Sequence, residues 1–516
     1  MSGLGRYLKN AIVLVGASLL MRSVSLFFNA YVSGKIGAEG MGLFTLVMSV
    51  YGFAVTFATS GINLAVTRLV AAAIGEGREG EVRRILRRAV LYALAFGGTA
   101  SAVLFFFASP IGTGILGDAR TVPSLRLLSV SMVPIALSSV FSGYFVAVRR
   151  VGRNAATQLF EQGARIFLTV YGLLALAPAG LTYACLALVG GSALAEFLSF
   201  FFLFMQYLFD RRKHVKATPC VAKRRIMPEI LHISLPIAFS TYVRSGLLTV
   251  EHILIPICLS LGGADRGAAL AAYGVLHSMA LPVVLFPTAV SSAFSGLLVP
   301  EMAEAQARGE STRVRYMTER ALGATLLFSM LSAGVLSASA AEIGTLFYGN
   351  AEAGRYIRLI APVAVIMYLD TTVDCILKGL GYQVYSMCVN ISDSVLSIAL
   401  VLLLLPRMGA VGYVAVIALA ELYNFSLSIL RLHRAVPFRA SLARMILFPF
   451  LSVVGATSLV HLLLPAAGGG GVLALHVLLA LMLYLFLLSL FGTIGKTEAT
   501  WLFSVFSRKK DSLAQK

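Results

Sequence analysis

Charge is what this sequence has least of. Only 13% of its 516 residues are charged and 58% are hydrophobic, whereas about a quarter of an ordinary soluble domain is charged. Such a chain cannot cover a water-facing surface, which excludes the soluble globular classes. Acids are scarcer than bases, 23 against 42, for a net charge of +19. The basic residues fall in short loops between apolar runs, so the excess points to anionic lipid headgroups and not to nucleic acid. The five cysteines, Cys185, Cys220, Cys258, Cys375 and Cys388, show no paired spacing, which argues against a disulfide framework or a cysteine-built metal site. No Walker A loop and no long outer segment is present. The acids of the expected outer loops (Glu39, Asp118, Asp265, Glu342, Glu352) are scattered. Neither a nucleotide-driven pump nor a membrane-embedded sugar transferase fits this pattern. No enzymatic activity and no cofactor is expected.

What fills the chain instead is a series of apolar runs of membrane-crossing length. They cover approximately 10–33, 41–73, 88–113, 122–148, 155–177, 181–208, 229–259, 267–299, 317–338, 354–379, 385–405, 410–432, 443–465 and 471–494. The spacing predicts an all-α polytopic membrane protein of about fourteen transmembrane helices. Its expected parts are an N-terminal six-helix lobe (1–208), a basic linker (209–228), a C-terminal six-helix lobe (229–440), two additional helices (441–494) and a tail (495–516). The run after the basic lead-in Met1 to Lys9 is too long for a signal peptide and reads as a retained first span.

The two lobes echo one another. Leu20-Met21-Arg22-Ser23 is matched by Thr241-Tyr242-Val243-Arg244-Ser245, and Gly37-Ala38-Glu39-Gly40 by Gly263-Ala264-Asp265-Arg266-Gly267. Val133-Pro134 answers to Ala361-Pro362, and Ala193-Leu194-Ala195-Glu196 to Ala418-Leu419-Ala420-Glu421. The matches keep their order at an offset of about 220–230 residues, the mark of an internal duplication. An even number of spans per repeat makes the lobes parallel repeats, related by an axis along the membrane normal. The last two spans have no counterpart in the first half.

Arg22 lies near the centre of the first apolar run, too deep to snorkel to the surface, so it must face protein, water or a ligand. Ser18, Arg22, Ser25 and Asn29 share one helix face with it. Arg244 repeats the feature, with Glu251 two turns on. Arginine suits phosphate because its planar fork donates parallel hydrogen bonds to adjacent oxygens. Glu161 and Arg165, four residues apart, either neutralise each other on one helix face or line the cavity. Asp370, Asp374 and Lys378 follow at four-residue steps, with Asp393 in the next span. Asp370, Asp374, Asp393 and Glu251 are candidates for a coupling H⁺ or Na⁺. The duplication gives Glu196 and Glu421 a common context without saying whether it is structural or functional.

The run GAEGMGLFTLVMSVYGFAVTFATSGINLAVTRLVAAA (Gly37–Ala73) resembles the first-lobe signature of oligosaccharide flippases. So do the arginine in span one, LFEQGARI in span five and LKGLG at the end of span ten. These flippases belong to the multidrug/oligosaccharidyl-lipid/polysaccharide exporter superfamily, and the branch resembled is that of stage V sporulation protein B. The layout of six, six and two spans is also similar to that of lipid II flippases, whose two extra spans form a lipid-accommodating groove. This resemblance implies a flippase that moves a polyprenyl-(di)phosphate-linked glycan, a cell-wall or polysaccharide precursor, across the cell membrane by alternating access. Two lobes would surround a cationic cavity in which Arg22 and Arg244 hold the phosphate, in a transporter acting as a monomer. The alternative is a cation-coupled multidrug antiporter. Members of that branch typically place an acid in span one, where this sequence has only Arg22.

With the N-terminus inside, the inner segments collect roughly 31 Lys and Arg and the outer ones roughly 7. Both termini and the linker are therefore expected in the cytoplasm of a multi-pass protein. An impermeant thiol reagent applied to intact cells should leave Cys220 unlabelled and label it only after permeabilisation. Labelling from outside would invert the topology.

Overall fold

The computed structural model describes residues 3–59, 61–214, 225–438, 446–463 and 469–492. Residues 215–224 of the linker, with Cys220, and the tail lie outside them. Every regular element among the described residues is helical. In chain order they are α1 (Gly3–Thr59), α2 (Ile62–Gly75), α3 (Glu79–Phe106), α4 (Thr121–Ser129), α5 (Met132–Ala147), α6 (Val151–Leu176), α7 (Leu181–His214), α8 (Ile226–Leu261) and α9 (Arg266–Tyr273). There follow α10 (Leu281–Leu285), α11 (Thr288–Ala307), α12 (Ser311–Ala338), α13 (Ala340–Tyr348), α14 (Ala351–Gly379), α15 (Gln383–Ala435), α16 (Phe448–Leu463) and α17 (Gly470–Leu490).

Among the described residues, ten helices are long and apolar enough to cross a membrane, or eleven with the bent pair α4 and α5 taken as one span. The difference from fourteen has a local cause. Both α1 and α15 join two expected spans across a single glycine, Gly37 (φ 70°) and Gly409 (φ 59°). Only a residue without Cβ enters this backbone region cheaply, so the helix can break there without a loop. At Gly409 the break is sharp enough to bring Gly412 against the Leu404 carbonyl. The remaining expected span is α16, whose 16 residues fall just short of the usual crossing length.

The chain forms two compact units, Lys35–Gly274 in one and Met1–Gly34 with Val275–Lys516 in the other. Neither boundary falls in the basic linker. The first lies beside the Gly37 break and the second at the start of a π-helical stretch, Gly274–Ala280. Each is a place where regular helix geometry already fails.

Small residues draw the helices of unit Lys35–Gly274 together. A Cβ on Gly143 of α5 would stand 2.6 Å from the Asn63 carbonyl oxygen of α2, and one on Gly97 of α3 would stand 2.8 Å from the Ala136 side chain. Aromatic rings fill the space between α5 and α7, with Phe141 against Tyr207 at 4.9 Å. In the other unit, α11, α12, α14 and α15 enclose Met302, Ala321, Val373, Ile376, Leu377 and Leu432, all fully buried. Thr325 and Thr372 share a hydrogen bond of 2.9 Å inside that packing, which spares two buried hydroxyls a desolvation cost.

The two helices without a repeat partner, α16 and α17, pack on α12 around Val453, Ala456, Tyr484 and Leu488. Tyr484 donates to the Leu327 carbonyl at 3.0 Å. Gly334 of α12 sits under Val453 so closely that any Cβ there would strike it. A Gly334→Leu substitution should therefore push α16 off α12 and lower stability by about 1–3 kcal/mol. Thermal unfolding in detergent measures the loss, and limited proteolysis should cut first between the second lobe and α16. Wild-type stability would show that this contact does not hold the pair.

Candidate functional site

Arg22 lies in the first segment of α1. Its Nη1 donates to the Leu285 carbonyl of α10 at 3.0 Å and to the Thr288 Oγ1 of α11 at 2.7 Å. Both acceptors are available for a local reason. Pro287 lies between α10 and α11 and interrupts their helical ladder, and the Thr288 hydroxyl itself turns back to the Leu285 carbonyl at 2.6 Å. One guanidinium nitrogen is thus engaged, while Nε and Nη2 have no hydrogen-bond partner among the described residues. The side chain is exposed rather than enclosed. On the same helix Asn29 donates to the Ser278 carbonyl in the π-helical stretch, Ser25 is exposed, and the side chain of Ser18 lies outside the described residues.

Arg244 occupies the middle of α8, 18 residues from Ile226 and 17 from Leu261. Its neighbours are fastened to the second segment of α1. Tyr242 stacks on Phe57 with ring centroids 5.4 Å apart, Ser245 Oγ donates to Thr56 Oγ1 at 3.3 Å, and Thr249 donates to the Ser49 carbonyl at 3.1 Å. Arg244 itself is exposed and has no described hydrogen bond or ion pair. The arginine is held at mid-helix by residues on either side of it while its own donors stay free.

The acids of the two repeats have different partners. Arg165 of α6 reaches Glu161 at 2.6 Å and Glu196 of α7 at 3.3 Å through the same Nη2, and Ser199 donates to the second Glu161 oxygen at 3.1 Å. This is an interhelical ion network, and it gives Glu196 a structural partner. The counterpart Glu421, on α15, has no such arginine. Asp370 and Asp393 lie close enough to act on it electrostatically. Asp374 takes up Lys378 at 2.5 Å and the Ser386 hydroxyl. Asp370 Oδ1 is buried without a hydrogen-bond partner. Of these acids Asp374 is the one with a described lysine pair, and no three metal-binding side chains converge on a metal-sized site among the described residues. The fourth coupling candidate, Glu251, sits on α8 in the other compact unit, beside His252, whose Nδ1 meets the Tyr273 hydroxyl at 2.8 Å.

Sequence reasoning missed a cluster in the loops expected outside. Arg120 bridges Glu39 at 2.9 Å and Asp118 at 2.7 Å, and Arg266 donates to the Leu116 carbonyl. Close by, the backbones of Gly42 and Gly274 approach those of Leu270 and Ala38 with no room for a Cβ. The Asp-x-Arg pair in the turn before α4 was the available signal. Burial alone would raise the Asp118 carboxyl. Hydrogen bonds from the Arg120 side chain and backbone, with the charges of Arg120 and Arg266, outweigh burial and hold it below its ordinary value of 3.8.

The sequence profile described as polysaccharide biosynthesis protein matches residues 7–306, more than half of the chain. The chain belongs to the polysaccharide biosynthesis protein family. A second profile, MatE, matches residues 249–403. Stage V sporulation protein B of Bacillus subtilis (strain 168) is 25% identical over 412 residues, 79% of this chain and 79% of that protein. Lipid II flippase MurJ of the same organism is 23% identical over 484 residues, 87% of each. A solved structure titled lipid II flippase MurJ, inward closed conformation, superposes with a TM-score of 0.71 at 14% identity, covering 93% of this chain and 98% of that one, and is alike in fold. With ten long apolar helices among the described residues, this family member is a multi-pass membrane protein.

The loop cluster carries a pH dependence of definite sign. The folded Asp118 carboxyl lies below its unfolded value, so its stabilisation is complete above about pH 4 and is lost as pH falls through the lower folded value. Asp118→Asn should cost about 1 kcal/mol at neutral pH, allowing for the one-third exposure of Arg120. It should also flatten the acid limb of a stability-versus-pH curve. A variant with the wild-type acid limb would remove Asp118 from the explanation.

Proposed function

We propose that this protein flips a lipid-linked sugar bearing a phosphate or diphosphate, a precursor of a cell-envelope polymer, from the cytoplasmic to the outer leaflet by alternating access. Arg22 and Arg244 engage the phosphate oxygens. The observation that carries this reading is the pair of mid-span guanidinia with donors to spare. Arg22 uses one nitrogen on a carbonyl and a hydroxyl, Arg244 uses none, and no described carboxylate neutralises either. A cation held at mid-membrane without a counter-ion is costly unless an anion visits it. A phosphate matches the bidentate fork that remains open. A relative named for lipid II, a lipid-linked precursor, supports the same substrate class.

In this scheme Glu161 and Arg165 hold α6 to α7 and do not contact substrate. Ser25 and Asn29 line the arginine's face of α1. The group Asp370, Asp374, Asp393 and Glu421 takes up the coupling cation, H⁺ or Na⁺, because neighbouring acids lower their mutual repulsion by doing so. Helices α16 and α17 shelter the lipid tail. Both termini face the cytoplasm, and one chain suffices for transport.

The MatE match over 249–403, a stretch that includes Asp370, Asp374 and Asp393, favours a second reading, a cation-coupled drug antiporter. Efflux of cationic dyes from vesicles, driven by a proton or sodium gradient, would establish it.

For the flippase, Arg22→Lys and Arg244→Lys keep the charge and lose the fork, whereas the alanine variants lose both. Flipping of a fluorescent polyprenyl-diphosphate sugar in proteoliposomes should fall in the order wild type, Lys, Ala at each site, with about 1.5–3 kcal/mol lost per alanine. Folded yield and thermal stability should stay near wild type. Full activity in the Arg22→Ala, Arg244→Ala double variant would sink the phosphate assignment.

A further inference from the structure

Helices α16 and α17 contain no Asp, Glu, Lys or Arg. Each has a single histidine, and the two meet. His461 lies two residues before the end of α16 (463 − 461), and His476 six residues after the start of α17 (476 − 470). Both are therefore within about two helical turns of the connection between the helices. Their ring centroids are 6.0 Å apart and the ring planes are tilted by 32°. The packed core of the pair, Val453, Ala456, Tyr484 and Leu488, lies further from the connection. The histidines thus face each other where the aliphatic packing ends.

Both rings line a small cavity between α12, α16 and α17. Ser339, directly after α12, and Thr457, one turn before His461 on the same face, add two hydroxyls to its wall. The remainder is aliphatic, with Val335, Ala338 and Ala480 among the contributors. His476 is 6% exposed, whereas His461 is exposed. The Thr457 hydroxyl donates to the Val453 carbonyl at 2.8 Å, which leaves its oxygen able to accept.

Neutral imidazole is the commonest protein ligand for transition metals. With a Zn–N bond of about 2.0–2.1 Å and about 1 Å from nitrogen to ring centre, two imidazoles on one tetrahedral ion have centres roughly 5 Å apart. The observed 6.0 Å is a small side-chain rotation away from that. Hard cations such as Ca²⁺ and Mg²⁺ seek carboxylate oxygens, and this wall has none.

We propose that His461 and His476 form a binding site for one divalent transition-metal ion of the imidazole-seeking class, Zn²⁺ foremost, which clasps α16 to α17. One ring nitrogen from each histidine ligates the ion and water fills its other positions. Ser339 and Thr457 are the hydroxyls placed to hydrogen-bond that water. The site has two protein ligands, not the three or four of a catalytic or structural zinc centre, so its ion exchanges. The clasp closes when metal is plentiful and releases when it is scarce. In the orientation proposed above this end of the helix pair faces outward and the ion comes from the medium, but the binding itself does not depend on that orientation.

Calorimetric titration of ZnCl₂ into the full-length protein, purified without a polyhistidine tag, tests this. Wild type should bind one Zn²⁺ per chain that depends on both histidines, and its thermal unfolding temperature should rise with Zn²⁺, because an ion held only by the folded form stabilises it by mass action. His461→Gln and His476→Gln should each weaken that binding by roughly tenfold or more and abolish the thermal shift. MgCl₂ should produce neither effect in wild type. His232→Gln, on α8, should bind Zn²⁺ as wild type does. Absence of saturable Zn²⁺ binding in wild type overturns the site. So does undiminished binding in folded His461→Gln, or an equal loss in His232→Gln. Should the buried position not tolerate His476→Gln, the exposed His461→Gln decides alone. Metal binding is read without transport, so a failed flipping assay and a failed metal site are separate results.

Discussion

A guanidinium in the middle of a membrane helix cannot lose its proton at any accessible pH, so its surroundings must supply acceptors. Much of this structure is arranged around that requirement. Arg22 finds a carbonyl and a hydroxyl where Pro287 interrupts the helical ladder, and Arg165 finds one glutamate on its own helix and one on α7. Arg244 finds neither. Its flanking residues are nonetheless bound to α1 on both sides. A residue so placed and left open is costly in an apolar medium, and a visiting anion relieves the cost. Arg165 is ion-paired, Arg22 is hydrogen-bonded through one nitrogen, and Arg244 has no described partner.

The two expected repeats carry similar helices, while the charges on them differ. Glu196 and Glu421 occupy matching positions, yet one sits in an arginine network and the other among aspartates. A transporter assembled from two copies of one lobe needs common packing but not common chemistry. Packing surfaces such as Gly97 and Gly143 are constrained by backbone approach, while polar side chains can change whenever a new partner satisfies them.

What the sequence by itself determined is considerable. Most helix positions and the all-helical class follow from run lengths and order, because in a membrane each helix satisfies its own backbone and needs no distant residue to form. The depth of Arg22 and Arg244 follows from counting residues. The tertiary structure decided the rest. Glycine at 37 and 409 reads as an ordinary loop residue, and only the fold shows that each turns one long helix into two spans. The compact units part beside Gly37 and at the π-helical stretch, a choice set by packing rather than by the basic linker. Which of several similar acids is paired also lay beyond sequence. Glu161 and Arg165 are visibly i, i+4, but their tie to Glu196 crosses from α6 to α7, and Arg120 reaches Glu39 from a different loop. Covalent order dictates what lies on one helix face; only the packing of one helix on another dictates which charges meet.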